Sequence, residues 1–188
     1  MPRKSAYKLN KTVALVGMMG SGKSAVGQAV ARKLGVAFVD SDHAIEEAAN
    51  RSVAEIFERD GEAFFRDKET RVLARLLDGP PVILSTGGGA FLNPRNRDLI
   101  AARGVAVWLK ADLPLLWQRV RHKDTRPLLR VPEPRKRLAE LLEARTPHYA
   151  QAAIVVEADA AYSIDDMAAR VIAALEAHPA GILERVSR

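Results

Sequence analysis

The eight residues from Gly17 to Ser24 read G-M-M-G-S-G-K-S, which is the spacing G-x-x-x-x-G-K-S. Glycines let a backbone curl so that its N–H groups point at phosphate oxygens, and a helix that starts there adds the positive end of its dipole. Lys23 would place a compact cation against the β- and γ-phosphates, and the Ser24 hydroxyl is suited to Mg²⁺. The pattern predicts a nucleoside triphosphate site, because an ordinary glycine turn would leave the lysine and the serine unexplained.

The residues on either side of this loop favour the same interpretation. The continuous apolar run 13–16 precedes it and predicts a strand buried on both faces. Residues 25–34 follow with a helical pattern, and Gly35 is a natural C-terminal cap. A strand, a glycine loop and a helix in this order are the context in which the motif is specific.

Two carboxylates, Asp40 and Asp42, follow a second short apolar run at 36–39. In open parallel sheets, ligands bind at the carboxyl ends of the strands, so this position is suited to a site. The alternative is a helix start in which Asp42 caps a helix over 44–49. The two interpretations have equal weight locally, and the phosphate loop at the same sheet edge favours the site.

A third strand, predicted over 82–85, runs directly into three glycines at 87–89. Consecutive glycines after a buried strand invite the close approach of a ligand to the backbone, although a loop that needs positive φ angles would also use them. Arg66 lies beside two phenylalanines in a helix predicted over 62–77. Taken alone, it is best interpreted as a solvated helix arginine.

Five predicted strands alternate with helices along the chain. The strands lie at 13–16, 36–39, 82–85, 105–109 and 153–156. The alternation predicts one α/β domain with a five-stranded parallel sheet and helices on both faces. Residues 122–135 are basic and interrupted by prolines, which is typical of an active-site lid. We expect a helix over 138–145, a frayed N-terminal lead-in and a loose tail after His178.

Composition narrows the classes of function. The chain has 188 residues, of which 48% are hydrophobic, enough for one core, and it has no cysteine, so disulfides and thiolate metal sites are excluded. No apolar run approaches the roughly 20 residues that span a bilayer. The net charge of +6 is compatible with nucleic acid or with a small anionic substrate. Aromatic residues are only 5% and do not interleave with the basic segment 119–137, which disfavours nucleic acid.

At this point the chain resembles the shikimate kinase family over about residues 10–176. The resemblance depends on an ordered set of motifs rather than on the phosphate loop, and these are Asp40-Ser41-Asp42, Arg-Ser-Val-Ala-Glu-Ile-Phe at 51–57, Gly61-Glu62 with Phe65-Arg66, Gly87-Gly88-Gly89, Arg126-Pro127-Leu128-Leu129 and Arg145-x-x-x-Tyr149. The family phosphorylates the 3-hydroxyl of shikimate with ATP in the pathway to chorismate and the aromatic amino acids. The resemblance implies a three-layer α/β/α fold of the P-loop NTPase class, similar to nucleoside monophosphate kinases, with a mobile lid.

The resemblance also implies roles on the nucleotide side of the site. The residues expected to hold the ATP phosphates are Gly20, Ser21, Gly22, Lys23, Ser24 and Ala25. Ser24 would bind Mg²⁺, and Asp40 would hold the metal through water. Arg119 resembles a residue that lines the adenine, and Arg126 resembles a lid arginine that reaches the phosphates. The family often has an arginine near the adenine after the last strand, whereas residues 157–162 contain none and offer only Tyr162.

On the acceptor side, Arg66 and Arg145 resemble the pair that grips the shikimate carboxylate, and Gly88 resembles a backbone contact to the substrate. Asp42 resembles the carboxylate that accepts hydrogen bonds from shikimate hydroxyls. Together with Lys23 and Arg126, it is the residue expected to be catalytic. Arginine suits a carboxylate because its planar fork binds bidentately, and ionised aspartate suits hydroxyl donors because it only accepts.

Shikimate is the expected partner, with no nucleic acid and no membrane, and we expect a cytoplasmic monomer. The main alternative is another small-molecule kinase of the same fold, acting on gluconate or on a nucleoside monophosphate. A nucleotide-dependent switch is a further alternative. The absence of an N-K-x-D stretch in the sequence argues against specificity for GTP.

Overall fold

The computed structural model describes residues 6–122 and 127–187. These residues form seven strands: β1 (Tyr7–Leu9), β2 (Thr12–Val16), β3 (Phe38–Asp40), β4 (Ile83–Ser85), β5 (Gly104–Lys110), β6 (Ile154–Glu157) and β7 (Leu183–Arg185). Five of them pair in parallel in the order β3-β4-β2-β5-β6. The predicted five-stranded parallel sheet is therefore confirmed, with β2 at its centre and buried at every residue.

Helices cover both faces of this sheet, and they are α1 (Lys23–Leu34), α2 (Ser41–Ala49), α3 (Val53–Asp78), α4 (Pro94–Arg103), α5 (Leu113–Val120), α6 (Pro134–Tyr149) and α7 (Ile164–Ala177). Alternate residues of β2 point to opposite faces. Val13 and Leu15 join a core with α1 and α7, whereas Ala14 and Val16 join a second core with α3, α4, α5 and α6. The expected three-layer α/β/α architecture is confirmed.

Glycines end and bend the helices where the sequence predicts. Gly35 adopts a left-handed conformation (φ 68°, ψ 32°), and its N–H donates to the carbonyls of Ala31 and Arg32 at the end of α1. Gly61 (φ 83°, ψ 173°) interrupts the helical backbone inside α3, as the predicted break at residues 60–61 requires.

The start of α2 differs from the prediction. Asp40, and not Asp42, is the N-cap, and its Oδ1 atom accepts hydrogen bonds from the N–H groups of Asp42 and His43 at 2.9 and 3.2 Å. A capping side chain must precede the first turn, and the helix starts at Ser41, three residues earlier than expected. The Asp42 side chain is thereby available for another role.

The two chain ends are also ordered differently from the prediction. β1 and β7 form an antiparallel ribbon in which Tyr7 lies opposite Arg185 and Leu9 opposite Leu183. Leu9 and Leu183 are buried in the core beside α1 and α7. The expected frayed lead-in and loose tail are therefore wrong for residues 7–9 and 183–185, which form paired strands. Two three-residue strands with one buried leucine each carry too little alternation to be identified from sequence.

Helix α6 is longer at both ends than the predicted 138–145. Pro134 occupies its first position, where a missing N–H costs nothing, and the helix continues through the exposed Pro147 to Tyr149. The last two residues of the predicted irregular span 122–135 therefore belong to α6. Residues 127–129 of the same span form a 3₁₀ turn. Within the described residues, none of the helices is both long and apolar enough to span a bilayer.

Candidate active site

The phosphate loop depends on three glycines at positive φ: Gly17 (145°), Gly20 (80°) and Gly22 (92°). A Cβ atom on Gly20 would lie 2.7 Å from Cγ1 of Val120, so the loop also requires the missing side chain for space. Gly22 starts α1 without a side-chain cap. The first N–H groups of the helix therefore have no acceptor within the helix and point into the loop, as a phosphate site requires.

Lys23 and Ser21 carry the polar side chains of this loop. Lys23 Nζ donates to the carbonyls of Gly17 and Met18 at 2.7 and 3.0 Å, which holds the ammonium group over the loop. Ser21 Oγ is buried and has no hydrogen-bond partner among the residues that the structure describes. A positive charge and an unpaired hydroxyl beside a ring of backbone N–H groups fit the phosphates of a nucleotide.

A cavity of about 540 Å³ runs from this loop to Tyr162, which precedes α7, and to Met167 on α7. Arg119 lies in its wall, where Nη1 donates to the carbonyl of Gly20 at 3.0 Å. The structure thus places Arg119 at the phosphate loop and in the same cavity as Tyr162. This cavity has the size of a nucleotide-binding site.

Two hydroxyl groups and one carboxylate lie together near the ends of β3 and β4, and they belong to Ser24, Ser85 and Asp40. Ser24 Oγ lies 3.5 Å from Asp40 Oδ2 and 3.4 Å from Ser85 Oγ. Hard oxygen donors in small number suit Mg²⁺, which keeps most of its water shell. The predicted pair Ser24 and Asp40 therefore fits a magnesium ion. Ser85 was not predicted, although its position at the carboxyl end of a strand was a usable signal.

Asp42 lies where this cavity meets a second one of about 290 Å³, and it lines both. Burial is the main cause of the raised pKa of its carboxyl group, and the neighbouring Asp40 and Glu46 raise it further. Lys23 and Arg66 oppose this effect through their positive charges. The result is a carboxylate that binds a proton more readily than an exposed aspartate does.

The second cavity combines an apolar wall with charged side chains. Its apolar residues include Val53, Phe57 and Phe65, and its charged residues are Asp42, Arg66, Glu69 and Arg145. Such a lining suits a small polar molecule that carries a negative charge.

The three consecutive glycines form the floor between the two cavities. A Cβ atom on Gly87 would lie 2.9 Å from Asp42 Oδ1, one on Gly88 would lie 3.2 Å from Arg145 Nη1, and one on Gly89 would lie 2.5 Å from Arg66 Nη2. Each glycine therefore makes room for one charged side chain. None of the three has positive φ, so the interpretation based on positive φ is wrong. The structure shows the close approach of charged side chains to these glycines, and the close approach of a ligand stays a prediction.

Arg66 is held in the second cavity by carboxylates of its own helix. Its Nη1 donates to both Glu69 oxygens at 3.0 and 3.2 Å, and its Nε lies 3.6 Å from Glu62 Oε1. The Glu69 side chain is only 2% exposed, and burial raises its pKa although Arg66 lowers it. Arg66 is therefore not the solvated helix arginine that its sequence context alone indicated. The i,i+3 spacing to Glu69 was the missed signal.

Tyr149 supports the triple glycine by a hydrogen bond to the backbone of Gly88. It is fully buried, its hydroxyl donates to the carbonyl of Gly88 at 2.6 Å, and its ring centroid lies 6.0 Å from that of Trp108. Burial also raises the pKa of this hydroxyl. The tyrosine follows Arg145 by one helical turn, so α6 supplies both a side chain to the cavity and a support for Gly88.

We expect Tyr149→Phe to destabilise the fold by about 0.5–1.5 kcal/mol, because it removes the hydrogen bond to the half-buried Gly88 carbonyl. For a chain of this size the melting temperature would fall by about 2–4 °C per kcal/mol. Calorimetry against wild type and against Tyr162→Phe, a hydroxyl deletion in the nucleotide cavity, measures the effect. Equal melting temperatures for wild type and Tyr149→Phe would show that the Gly88 contact does not contribute to stability.

The structure brings together nearly all of the predicted site residues. The nucleotide cavity is lined by Gly20, Ser21, Gly22, Lys23, Ser24, Ala25 and Arg119, together with Asp40 and Asp42. The second cavity is lined by Arg66, Gly88 and Arg145. Arg126 lies outside the described residues.

Comparison with known proteins identifies the family. A sequence profile described as shikimate kinase matches residues 19–176. The chain is similar to a shikimate kinase from Ruegeria pomeroyi, with 64% identity over 90% of this chain and 87% of the relative. It is also similar to one from Cereibacter sphaeroides, with 60% identity over 94% of this chain and 88% of the relative.

Solved structures agree with the sequence comparison. A shikimate kinase from Acinetobacter baumannii in complex with shikimate has a TM-score of 0.80 and 38% identity, covering 86% of this chain and 90% of that one. A gluconokinase from Sinorhizobium meliloti has a TM-score of 0.59 at 18% identity, covering 89% of this chain and 92% of that one. At this identity the similarity shows only that the two proteins share a fold. The chain belongs to the shikimate kinase family and is an ATP- and Mg²⁺-dependent phosphotransferase.

Proposed function

We propose that this chain transfers the γ-phosphoryl group of ATP to the 3-hydroxyl of shikimate and releases shikimate 3-phosphate and ADP. One observation carries the proposal: the phosphate cavity and the charged second cavity meet at Asp42, Gly87 and Gly88. An acceptor in the second cavity would thus be next to the end of the nucleotide phosphates. The shikimate bound in the Acinetobacter baumannii structure supports the choice of acceptor.

Three charged side chains at the triple glycine would bind the acceptor, and these are Asp42, Arg66 and Arg145. Arg66 and Arg145 present their guanidinium groups to the same cavity and would bind the shikimate carboxylate. Asp42 would accept hydrogen bonds from ring hydroxyls, which an ionised carboxylate does without competing donors. Gly88 lets the ring approach the backbone closely.

In the transfer step, the shikimate 3-oxygen attacks the γ-phosphorus, and the bond from this phosphorus to the β–γ bridging oxygen breaks. Asp42 orients the hydroxyl and accepts its proton, a task that its raised pKa favours. Lys23 and the N–H groups of the loop stabilise the charge on the phosphate oxygens. Ser24 and, through water, Asp40 would hold Mg²⁺, which would supply further positive charge at these oxygens.

We expect Arg66→Ala and Arg145→Ala each to raise the shikimate KM by about 10–150-fold, because each loses a charge-assisted contact of roughly 1.5–3 kcal/mol. The KM for ATP should change little. Arg71→Ala is a suitable control, since Arg71 lies on the same helix with a 70% exposed side chain. Normal turnover of shikimate by both variants would overturn the assignment of the carboxylate site.

Glu69→Gln should raise the shikimate KM by roughly tenfold, because a neutral amide holds Arg66 less firmly than a carboxylate does. Glu69 acts through Arg66, so kcat at saturating shikimate should remain close to wild type. Steady-state kinetics separate these two constants. A drop in kcat with an unchanged KM would assign Glu69 to the transfer step instead.

An ADP-release assay with ATP and Mg²⁺ tests the proposed reaction. It compares shikimate with gluconate, with nucleoside monophosphates and with no acceptor. ADP release that depends on shikimate alone is the expected result. Folded, ATP-binding protein without shikimate-dependent release would overturn the choice of acceptor.

The segment 122–135 remains our proposed lid. Pro127 and Leu128 line the acceptor cavity, and Leu128 is 44% exposed, so this end of the segment is placed to cover a bound substrate. Arg126 would then reach the phosphates, as predicted from the family.

Three further expectations remain proposals: a cytoplasmic location, where ATP is supplied, a monomeric state and no binding of nucleic acid. Sedimentation measurements at several protein concentrations test the monomer. A mass that rises toward two chains with concentration would contradict it.

A further inference from the structure

A cavity of about 310 Å³ lies away from the active site. Its wall includes Lys11, which directly precedes β2, Gly104 and Val105 at the start of β5, and Ala153 directly before β6. These positions are the amino ends of three parallel strands, whereas the active site lies at the carboxyl ends. The cavity is therefore at the opposite edge of the sheet and separate from both cavities described above.

Two cations in its wall have no carboxylate partner among the residues that the structure describes. Lys11 and Arg97 are half-buried, and neither forms an ion pair within 4.0 Å in the described ranges 6–122 and 127–187. Asp98 also lines the cavity, but it is exposed and pairs with neither. Half-buried positive charges without a counter-charge favour the binding of an anion.

Arg97 is held in position by two neighbouring groups. Arg97 Nη1 donates to the carbonyl of Phe91 at 2.8 Å and to Nδ1 of His148 at 3.4 Å, which fixes the guanidinium plane. His178 also lines the cavity, and its Nδ1 accepts from the N–H of Ala180 at 3.2 Å.

The wall also contains the apolar residues Phe91, Ile100 and Ile182, each at most 2% exposed, together with several alanines and the polar Gln151. A volume of about 310 Å³ is at the lower end of the range for small-molecule sites, which is roughly 300–1,000 Å³. A ligand must therefore be small, with a charged end and an apolar body.

We propose that this cavity is a second binding site, which takes a small organic carboxylate. The carboxylate faces Lys11 and Arg97, and a flat apolar body packs against Phe91, Ile100 and Ile182. The proposal depends on this cavity alone and is independent of the proposed reaction.

A titration of the ¹⁵N-labelled full chain with 4-fluorobenzoate tests the proposal. This probe also resembles the charged ring expected at the active site, so the position of the response decides the outcome. We expect saturable shifts of the backbone N–H signals of Gly104, Val105 and Ile182, with a dissociation constant separate from that of any shifts at 87–89. The neutral 4-fluorobenzamide should bind at Gly104 at least about tenfold more weakly, because it lacks the charge-assisted contacts.

Lys11→Glu provides the matched variant, and Lys8→Glu on β1 makes the same change of charge at an exposed position outside the cavity. Lys11→Glu should weaken the binding measured at Gly104 at least about tenfold and leave shifts at 87–89 unchanged, whereas Lys8→Glu should change neither. Shifts confined to 87–89, equal binding of the benzamide, or a Gly104 response that survives Lys11→Glu would each overturn the proposal.

Discussion

Lys23→Met is expected to lower kcat with shikimate by about 10²–10³-fold, the usual cost of removing one preorganised group that stabilises transition-state charge. The lysine ammonium lies over the phosphate loop and is held by the carbonyls of Gly17 and Met18. Methionine keeps the length of the side chain but not its charge, so the loss falls on the transfer step. Single-turnover measurements at saturating ATP and shikimate report this step directly.

Lys33→Met is the matched control, because Lys33 lies on the same helix and its side chain is 41% exposed in a surface ion pair with Asp165. We expect wild-type kcat for this variant, since surface pairs contribute little. Wild-type transfer rates for Lys23→Met would contradict the assignment of the phosphate site.

Asp42→Asn should lower kcat by about 10²–10⁴-fold, the range for a positioned general base. The amide fills the same space beside Gly87 but cannot accept the hydroxyl proton. In wild type, kcat/KM for shikimate should fall on acidification as Asp42 becomes protonated, and burial places the pKa of this fall above the ordinary carboxyl value of 3.8. The pH profile of Asp42→Asn should lack this fall. Retention of the same fall in the variant would assign it to another group.

The same substitution should raise the stability of the fold at neutral pH. A carboxyl group whose pKa is raised in the folded state binds protons more tightly there than in the unfolded chain. Stability therefore decreases as the pH rises from below the unfolded pKa through the folded one, and Asn removes this cost. Thermal melts at pH 7 should give a higher melting temperature for Asp42→Asn than for wild type. Glu47→Gln, an exposed change on the same helix, should leave it unchanged.

The architecture could be predicted from sequence because its signals are local. Continuous apolar runs mark the buried strands, and Gly22, Gly35 and Gly61 lie where the backbone takes a left-handed or broken conformation. The ribbon of β1 and β7 could not be predicted in this way, because Leu9 and Leu183 at its inner end are 174 positions apart and neither strand has a pattern of its own.

The site could be predicted in part for the same reason. The phosphate loop and the triple glycine are contiguous, so their chemistry is visible in the sequence. Ser85 and Tyr149 could not be assigned in the same way, because their contacts form only when separate elements pack together. Glu69 lies three residues from Arg66 on the same helix, so its spacing was a usable signal. Asp42 illustrates the limit well: its sequence context permits a helix cap, and only the start of α2 at Ser41 shows that Asp40 performs this task.

The most direct test of the account is the identity of the phosphorylated product. Purified protein would be incubated with ATP, Mg²⁺ and shikimate, and the product examined by ³¹P NMR with coupling to protons. We predict one new phosphomonoester whose phosphorus couples to the proton on carbon 3, with ADP formed in equal amount and little inorganic phosphate. Phosphate on another hydroxyl would contradict the placement of the acceptor beside Asp42. Inorganic phosphate as the main product would contradict the transfer itself.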